Sequence, residues 1–337
     1  MIRTWFDPAQ RAHAPAVELH NGAFVPTADT QSRVDALLSA VPDTEAPDDH
    51  GLAPILAVHD AAYVDFLRNA HADWQAAGRP GDVFPYVFPI VGRRPLALQR
   101  IDARIGAHAY DMATPIAAGT WDAAYANAQV ALSALAPLLA GDARTTLALC
   151  RPPGHHAGRD YFGGYCYLNN AAIAAQAAVD AGRRVAILDI DYHHGNGTQD
   201  IFYGSANPLF VSIHADPVRD YPFYWGHADE EGEGEGTGAT INLPLPQGTT
   251  LATYRPALAR ALAAISAWGA DIILLSFGAD TFIGDPISHF ALETADYRLL
   301  AQDIAALGLP TLILMEGGYA VDALGANLGS LLSGFPA

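Results

Sequence analysis

Five short apolar runs constrain this chain more than any other feature. They are TTLALC (145–150), VAILDI (185–190), PLFVSI (208–213), DIILLS (271–276) and TLILM (311–315). A stretch with helical spacing precedes each, over about 122–140, 169–181, 197–203, 249–268 and 295–307, and a last helix closes the chain. Runs with no polar alternation are buried on both faces, and their regular exchange with helices predicts an α/β fold: a mostly parallel central sheet with helices on both faces.

In such sheets ligands bind beyond the carboxyl ends of the strands. The first run is followed by RPPGHH, the second by Asp191 and YHHGNGTQ, and the third by His214 and a Gly-rich acidic loop. The fourth leads into FGADTFIGDP and the fifth into EGGY. All of this polar sequence falls on one edge of one sheet, so the site is expected at the C-terminal strand ends.

Asp189 and Asp191 lie two apart on a strand and share a face, His193 follows just off its end, and Asp280 follows another strand. Asp191, His193 and Asp280 form a two-carboxylate, one-imidazole set, the pattern of a catalytic metal site with an open position. Two carboxylates and a neutral imidazole cancel a divalent charge, so bound water is acidified less than at a three-histidine site. The chemistry then needs a base, for which His155 and His156 are candidates, and a donor to the developing oxyanion, for which Tyr319 is a candidate. A hydrogen-bonded polar cluster at a strand end would explain the Asp-x-Asp-x-His-His motif alone, but not its convergence with Asp280 and the tandem histidines.

The 337 residues are 51% hydrophobic, enough for a large core, and 36 acidic against 18 basic residues give a net charge of −18. That balance opposes nucleic-acid binding, which needs basic patches. Neither Cys150 nor Cys166 sits in a CxxC pair, which argues against a disulfide framework or a structural zinc knuckle and makes a reducing, cytoplasmic setting the expectation. The N-terminal MIRTWFDPAQRAH lacks a secretory pattern, and no apolar run reaches the roughly 18 residues of a membrane span. A single domain over 1–337 is expected. Residues 1–50 read as irregular, 60–78 as a helix with Tyr63, Phe66, Leu67 and Trp74 inward, and 79–118, with five prolines, as an ordered insertion.

RPPGHH, GGYCYLNN, DIDYHHGNGTQ, SIHADP, GADTFIGDP and EGGY together resemble the histone deacetylase superfamily of zinc amidohydrolases, over roughly 120–320. GTW, CRPPGHHAG, YPFYWGHADEEGEGEG and INLPLP are most similar to its bacterial acetylpolyamine amidohydrolase branch. The resemblance implies the arginase–deacetylase fold, with Zn²⁺ on Asp191, His193 and Asp280. It implies His156 as the general base and acid, His155 as its electrostatic partner oriented by Asp189, and Tyr319 as the donor that polarises the carbonyl. Gly164, Tyr165 and Tyr221 match a substrate tunnel. Asp189, Asp191, His193, Ser212 and Ile213 match a monovalent cation site, usually structural K⁺. Asn196, the expected partner of His156, stands where many eukaryotic members carry Asp, and should leave that imidazole less basic. The oxygen-rich ligand set accepts Zn²⁺ or Fe²⁺. Relatives with two manganese ions need further carboxylates where this chain has Gly195 and Gly278, which disfavours a binuclear site.

The implied reaction is removal of acetyl groups from acetylated polyamines or related small cationic amines. Deacetylation of acetyl-lysine in proteins is the alternative, and a non-catalytic metal-binding relative a third. The acidic residues Asp229, Glu230, Glu231, Glu233 and Glu235 are expected either to attract a cationic substrate or to be a solvated loop. The insertion at 79–118 is expected to support a homodimer and narrow the entrance. Cys166 reads as wall packing, and His13, His20, His50, His59, His71 and His108 as surface or capping residues. His194 is expected as a packed core residue and His214 just behind the site.

Overall fold

The computed structural model describes residues 2–90, 94 and 96–336. In chain order its main elements are β1 (Arg3–Trp5), β2 (Val17–His20), β3 (Ala23–Pro26), α1 (Ser32–Ser39), α2 (Ala53–Leu56), α3 (Ala61–Ala76), α4 (Ile101–His108), α5 (Thr120–Ala140), β4 (Thr145–Ala148) and α6 (Asn170–Asp180). They continue with β5 (Val185–Asp189), α7 (Asn196–Phe202), β6 (Leu209–Ala215), β7 (Thr240–Leu245), α8 (Leu251–Trp268), β8 (Ile272–Phe277), α9 (Thr294–Ala305), β9 (Thr311–Met315) and α10 (Val321–Leu332).

Among the described residues the main sheet has seven strands, ordered β1-β4-β9-β8-β5-β6-β7, and every pairing in it is parallel. The five apolar runs are its five inner strands. Successive side chains on each alternate between two cores. Ala148, Ile187, Phe210, Leu274 and Leu312 face one layer with α5 and α6, while Leu147, Leu188, Val211, Leu275 and Ile313 face the other with α1, α8, α9 and α10. Truncating Ile187 or Leu274 to Ala in so closed a layer costs about 2–5 kcal/mol.

The N-terminal third is more ordered than its composition suggests. β1 pairs with β4 and closes one edge of the sheet, and β2 and β3 form a separate antiparallel hairpin. β7, which carries Pro244, closes the opposite edge, where a missing backbone donor is tolerated. The 79–118 segment contains α4, and its two ends are joined by an antiparallel bridge between Val83 and Ile116. Residues 91–93 and 95 of that expected insertion lie outside the described residues.

α5 is long and apolar enough to cross a membrane by length and composition, with mean hydropathy 1.3, but 78% of that window is buried inside the protein. It is the core helix under β4 and α6. α6 is capped by Asn169, whose side chain accepts from the Ala172 amide at 2.8 Å.

Candidate active site

Four strands adjacent in the sheet, β4, β9, β8 and β5, deliver the chemical groups. The turn after β4 carries His155 and His156, the end of β5 carries Asp189, Asp191 and His193, the end of β8 carries Asp280, and the end of β9 carries Glu316 and Tyr319.

Asp191, His193 and Asp280 offer ligand atoms within 4.8 Å of one another. His193 Nδ1 lies 3.1 Å from Asp280 Oδ2 and 3.3 Å from Asp191 Oδ1. A tetrahedral ion with bonds of about 2.0–2.1 Å holds its ligand atoms about 3.3 Å apart, so the three residues fit zinc. Burial opposes a charged His193, but hydrogen bonds and attraction from Asp191 and Asp280 outweigh it and raise the imidazole to about 10. The pocket thus calls for a cation. Burial and the neighbouring Asp191 push the Asp280 carboxyl up to about 7. Backbone amides hold the ligands: the Tyr192 amide donates to Asp280 Oδ1 at 2.9 Å and the Gly317 amide to Asp191 Oδ2 at 2.9 Å. At Gly278 a Cβ would stand 2.0 Å from Asp191 Oδ2, so the position that would need a carboxylate in a two-manganese site has no room even for a methyl group.

The two adjacent histidines, both buried, are chemically opposite. Burial disfavours charge on His155, but Asp189 and Asp191 overcome it and raise the ring to about 10. His155 Nδ1 donates to Asp189 Oδ2 at 2.9 Å. His156 is held well below the ordinary histidine value by burial and by the neighbouring His155 and His193. Its Nδ1 donates to Asn196 Oδ1 at 2.6 Å, which leaves Nε2 as the basic nitrogen.

Glu316 fixes the turn that carries the pair. Its Oε2 accepts from the amides of Gly154 at 2.7 Å and His155 at 3.1 Å, while Oε1 accepts from Ser276 Oγ at 3.1 Å. Burial raises this carboxyl to about 7.

A cavity of about 560 Å³, mouth included, reaches down to His156, His193 and Tyr319. Burial raises the Tyr319 phenol well above its ordinary value, so it stays protonated. Among the described residues none hydrogen-bonds its hydroxyl. Arg33, fully buried, lies under the ring at 4.9 Å and donates to the carbonyls of Gly318 and Glu316, both at 2.7 Å. Gly164 and Tyr165 form one wall, and the left-handed φ of +55° at Gly164 brings the backbone so near His156 that a Cβ would meet its Cδ2 at 2.2 Å. Tyr221 lines the same cavity, edge-on to His156 at 5.2 Å. Asp189 and Ser212, two of the residues expected at a cation site, are register partners on β5 and β6, and Ser212 Oγ contacts His214 Nδ1 at 2.8 Å.

Several supports escape local sequence reading. Glu18 accepts the Tyr165 hydroxyl at 2.9 Å, and Asp111 accepts from the Gly164 amide at 2.7 Å and the Tyr221 hydroxyl at 2.8 Å. Tyr110 bonds the same Tyr221 hydroxyl. Asp111 and Asp220 both line the cavity. The 229–235 loop is not among the residues lining it: Glu230 is spent on Gln199 and the Gly226 amide. His13 and His59 are buried rather than exposed. His13 Nδ1 pairs with Thr120 Oγ1 at 2.9 Å, and His59 bridges the Gly158 carbonyl to the Asn169 amide.

A parallel sheet that gathers an Asp/His/Asp triad, two buried histidines tethered to Asp189 and Asn196, and a cavity-lining phenol at its carboxyl edge has the make-up of a metal-dependent hydrolase of the arginase–deacetylase fold. The family described as histone deacetylase domain matches residues 28–335, and the chain belongs to that family. It is 49% identical to acetylpolyamine amidohydrolase 2 of Pseudomonas aeruginosa over 98% of each chain, and 42% identical to acetylpolyamine amidohydrolase of Mycoplana ramosa over 99% of each. The crystal structure of acetylpolyamine aminohydrolase from Burkholderia pseudomallei superposes with a TM-score of 0.96 at 41% identity, covering 100% of this chain and 99% of that one.

Proposed function

We propose that the chain hydrolyses the N-acetyl amide of acetylated polyamines or related small cationic amines, giving acetate and the free amine. The observation that carries this is the split between the two histidines beside the triad. His156, with Nδ1 tied to Asn196 and Nε2 free among the described residues, faces the cavity; His155, tied to Asp189, packs against it at 4.1 Å; and the Tyr319 phenol, bonded by none of the described residues, shares the same pocket.

Asp191, His193 and Asp280 would hold zinc, which when bound supplies a Lewis acid for the amide carbonyl and for water. His156 Nε2 takes the water proton and returns it to the departing amine nitrogen. Tyr319 donates its hydroxyl proton in a hydrogen bond to the carbonyl oxygen as negative charge develops there. His155, with Asp189, supplies positive charge behind the base. Tyr165 and Tyr221 flank an alkyl chain, and Asp111 and Asp220 supply negative charge for a distal ammonium. The relatives named for acetylpolyamine hydrolysis support this substrate class.

The same reading extends to Fe²⁺ as an alternative metal and to K⁺ on Asp189, Asp191, His193, Ser212 and Ile213. It also takes in a cytoplasmic setting for the two free thiols, and a homodimer through the apolar side chains exposed at Tyr86, Ile90 and Leu96.

Acetate release from acetylputrescine, acetylcadaverine, acetylspermidine and an acetyl-lysine peptide tests the proposal. Turnover of the small amines by zinc-loaded protein is expected. Preference for the peptide would move the substrate to proteins, and no release from any of them would refute the activity.

A further inference from the structure

Because none of the described residues bonds the Tyr319 hydroxyl, the backbone beneath the ring decides where the phenol stands. That backbone follows Gly317 and Gly318, the latter at φ +121°, a conformation other residues rarely adopt. Arg33 secures the carbonyls on the N-terminal side, at Glu316 and Gly318. On the C-terminal side α10 begins at Val321, and the amides of Tyr319 and Ala320 precede its first turn, where the helix itself provides no acceptors.

Asp285 supplies them. It lies five residues beyond Asp280 and is 7% exposed. Its Oδ2 accepts from the Tyr319 amide at 2.6 Å and the Ala320 amide at 3.2 Å, and its Oδ1 accepts from the Ile287 amide at 3.1 Å. Ile287 itself lines the cavity. We propose that Asp285 is the positioning residue for Tyr319. One carboxylate ties the loop carrying Asp280 and Ile287 to the turn carrying the phenol, and so sets the distance between the phenolic donor and the Asp191–His193–Asp280 triad. Bonds from amides to an ionised acceptor are the strong kind, suited to holding a segment whose preceding glycines leave it free.

The proposal rests on the hydrolytic reading for its kinetic arm and on geometry alone for its exchange arm. In the kinetic arm Asp285→Ala lowers kcat about 10–100-fold, the scale of a displacement near 1 Å. KM stays within about threefold and the zinc content is unchanged. Asp285→Asn, whose carbonyl oxygen still takes the Tyr319 and Ala320 amides while the Ile287 amide loses its acceptor, keeps kcat within about fivefold of the parent. In the Tyr319→Phe background, which has no phenolic hydroxyl left to place, Asp285→Ala adds no further loss. The full loss reappearing there, or loss of zinc from Asp285→Ala, would overturn the proposal. In the exchange arm, hydrogen–deuterium exchange in a peptide spanning 317–323 rises in Asp285→Ala, and unchanged exchange would equally overturn it. Should the alanine variant not fold, Asp285→Ser, too short to reach both amides, is read by the same outcomes. If the parent hydrolyses no acetylated amine, the functional reading fails while the exchange arm still decides the placement.

Discussion

Asp191, His193, Asp280 and the tandem histidines stand at the ends of adjacent strands, whereas Asp111, His20, Asp220 and Tyr221 reach the same cavity from a two-stranded hairpin and connecting loops. The strand-end groups are nearly sealed from solvent, the carboxylates held by backbone amides and the tandem histidines by Asp189 and Asn196. The rim is more open at His20, whose side chain is 50% exposed, although Asp220 is buried. The difference separates two tasks. Chemistry needs groups fixed to fractions of an ångström, and a buried sheet provides that. Selection needs charge and shape at a mouth, and loops provide that with less rigidity.

If the division is sound, substitutions at the edge should act on kcat and metal, and those at the rim on KM. The largest effect is expected for His193→Ala or Asp280→Ala. Either should lose zinc, as read by metal analysis of the purified protein, and acetate release should fall by about 10³-fold or more. Retention of zinc and rate would break the account of the triad. Asp111→Asn is expected to raise KM for a cationic acetylamine about tenfold, about 1.4 kcal/mol, with a smaller change for a neutral acetylamide of similar length. Equal effects on both substrates would make Asp111 a wall support and not a charge partner.

A smaller effect, on pH dependence, is expected at Asn196. Burial and the neighbouring His155 and His193 hold His156 below the ordinary histidine value, which favours its neutral, proton-accepting form. Asn196→Asp would place a carboxylate on Nδ1, favour the protonated ring and raise its pKa. The acid limb of the kcat/KM profile should therefore move to higher pH; a shift to lower pH would contradict the role given to Asn196. The smallest effect is expected at Glu231, Glu233 and Glu235. Changing all three to Gln should leave kcat/KM within about twofold, because their loop is not among the residues lining the cavity.

The strand-end side of the comparison was the legible one. Each inner strand is a continuous apolar run, and each chemical group follows its run within a few residues, so local pattern and site coincide. The edge strands escaped because β1 is three residues long and β7 carries Pro244, so neither has a pattern independent of its neighbour. The rim escaped for a different reason. Glu18 meets Tyr165 across 147 residues and Asp111 meets Gly164 across 53, and nothing near VELH or YDMATP announces either contact. His13 and His59 were misplaced on the same account, since their partners lie 107 and 110 residues away. The acidic loop shows the converse: a conspicuous charge run drew attention while the carboxylates that face the cavity stood singly elsewhere.

The most direct test of the edge as the seat of the chemistry is steady-state hydrolysis of acetylputrescine by zinc-loaded parent and Tyr319→Phe, with zinc content measured on the same samples. The account predicts that kcat falls about 10²–10³-fold, the scale of losing one oxyanion donor, with zinc retained at one per chain. An unchanged kcat, or a loss explained by missing zinc, would contradict it.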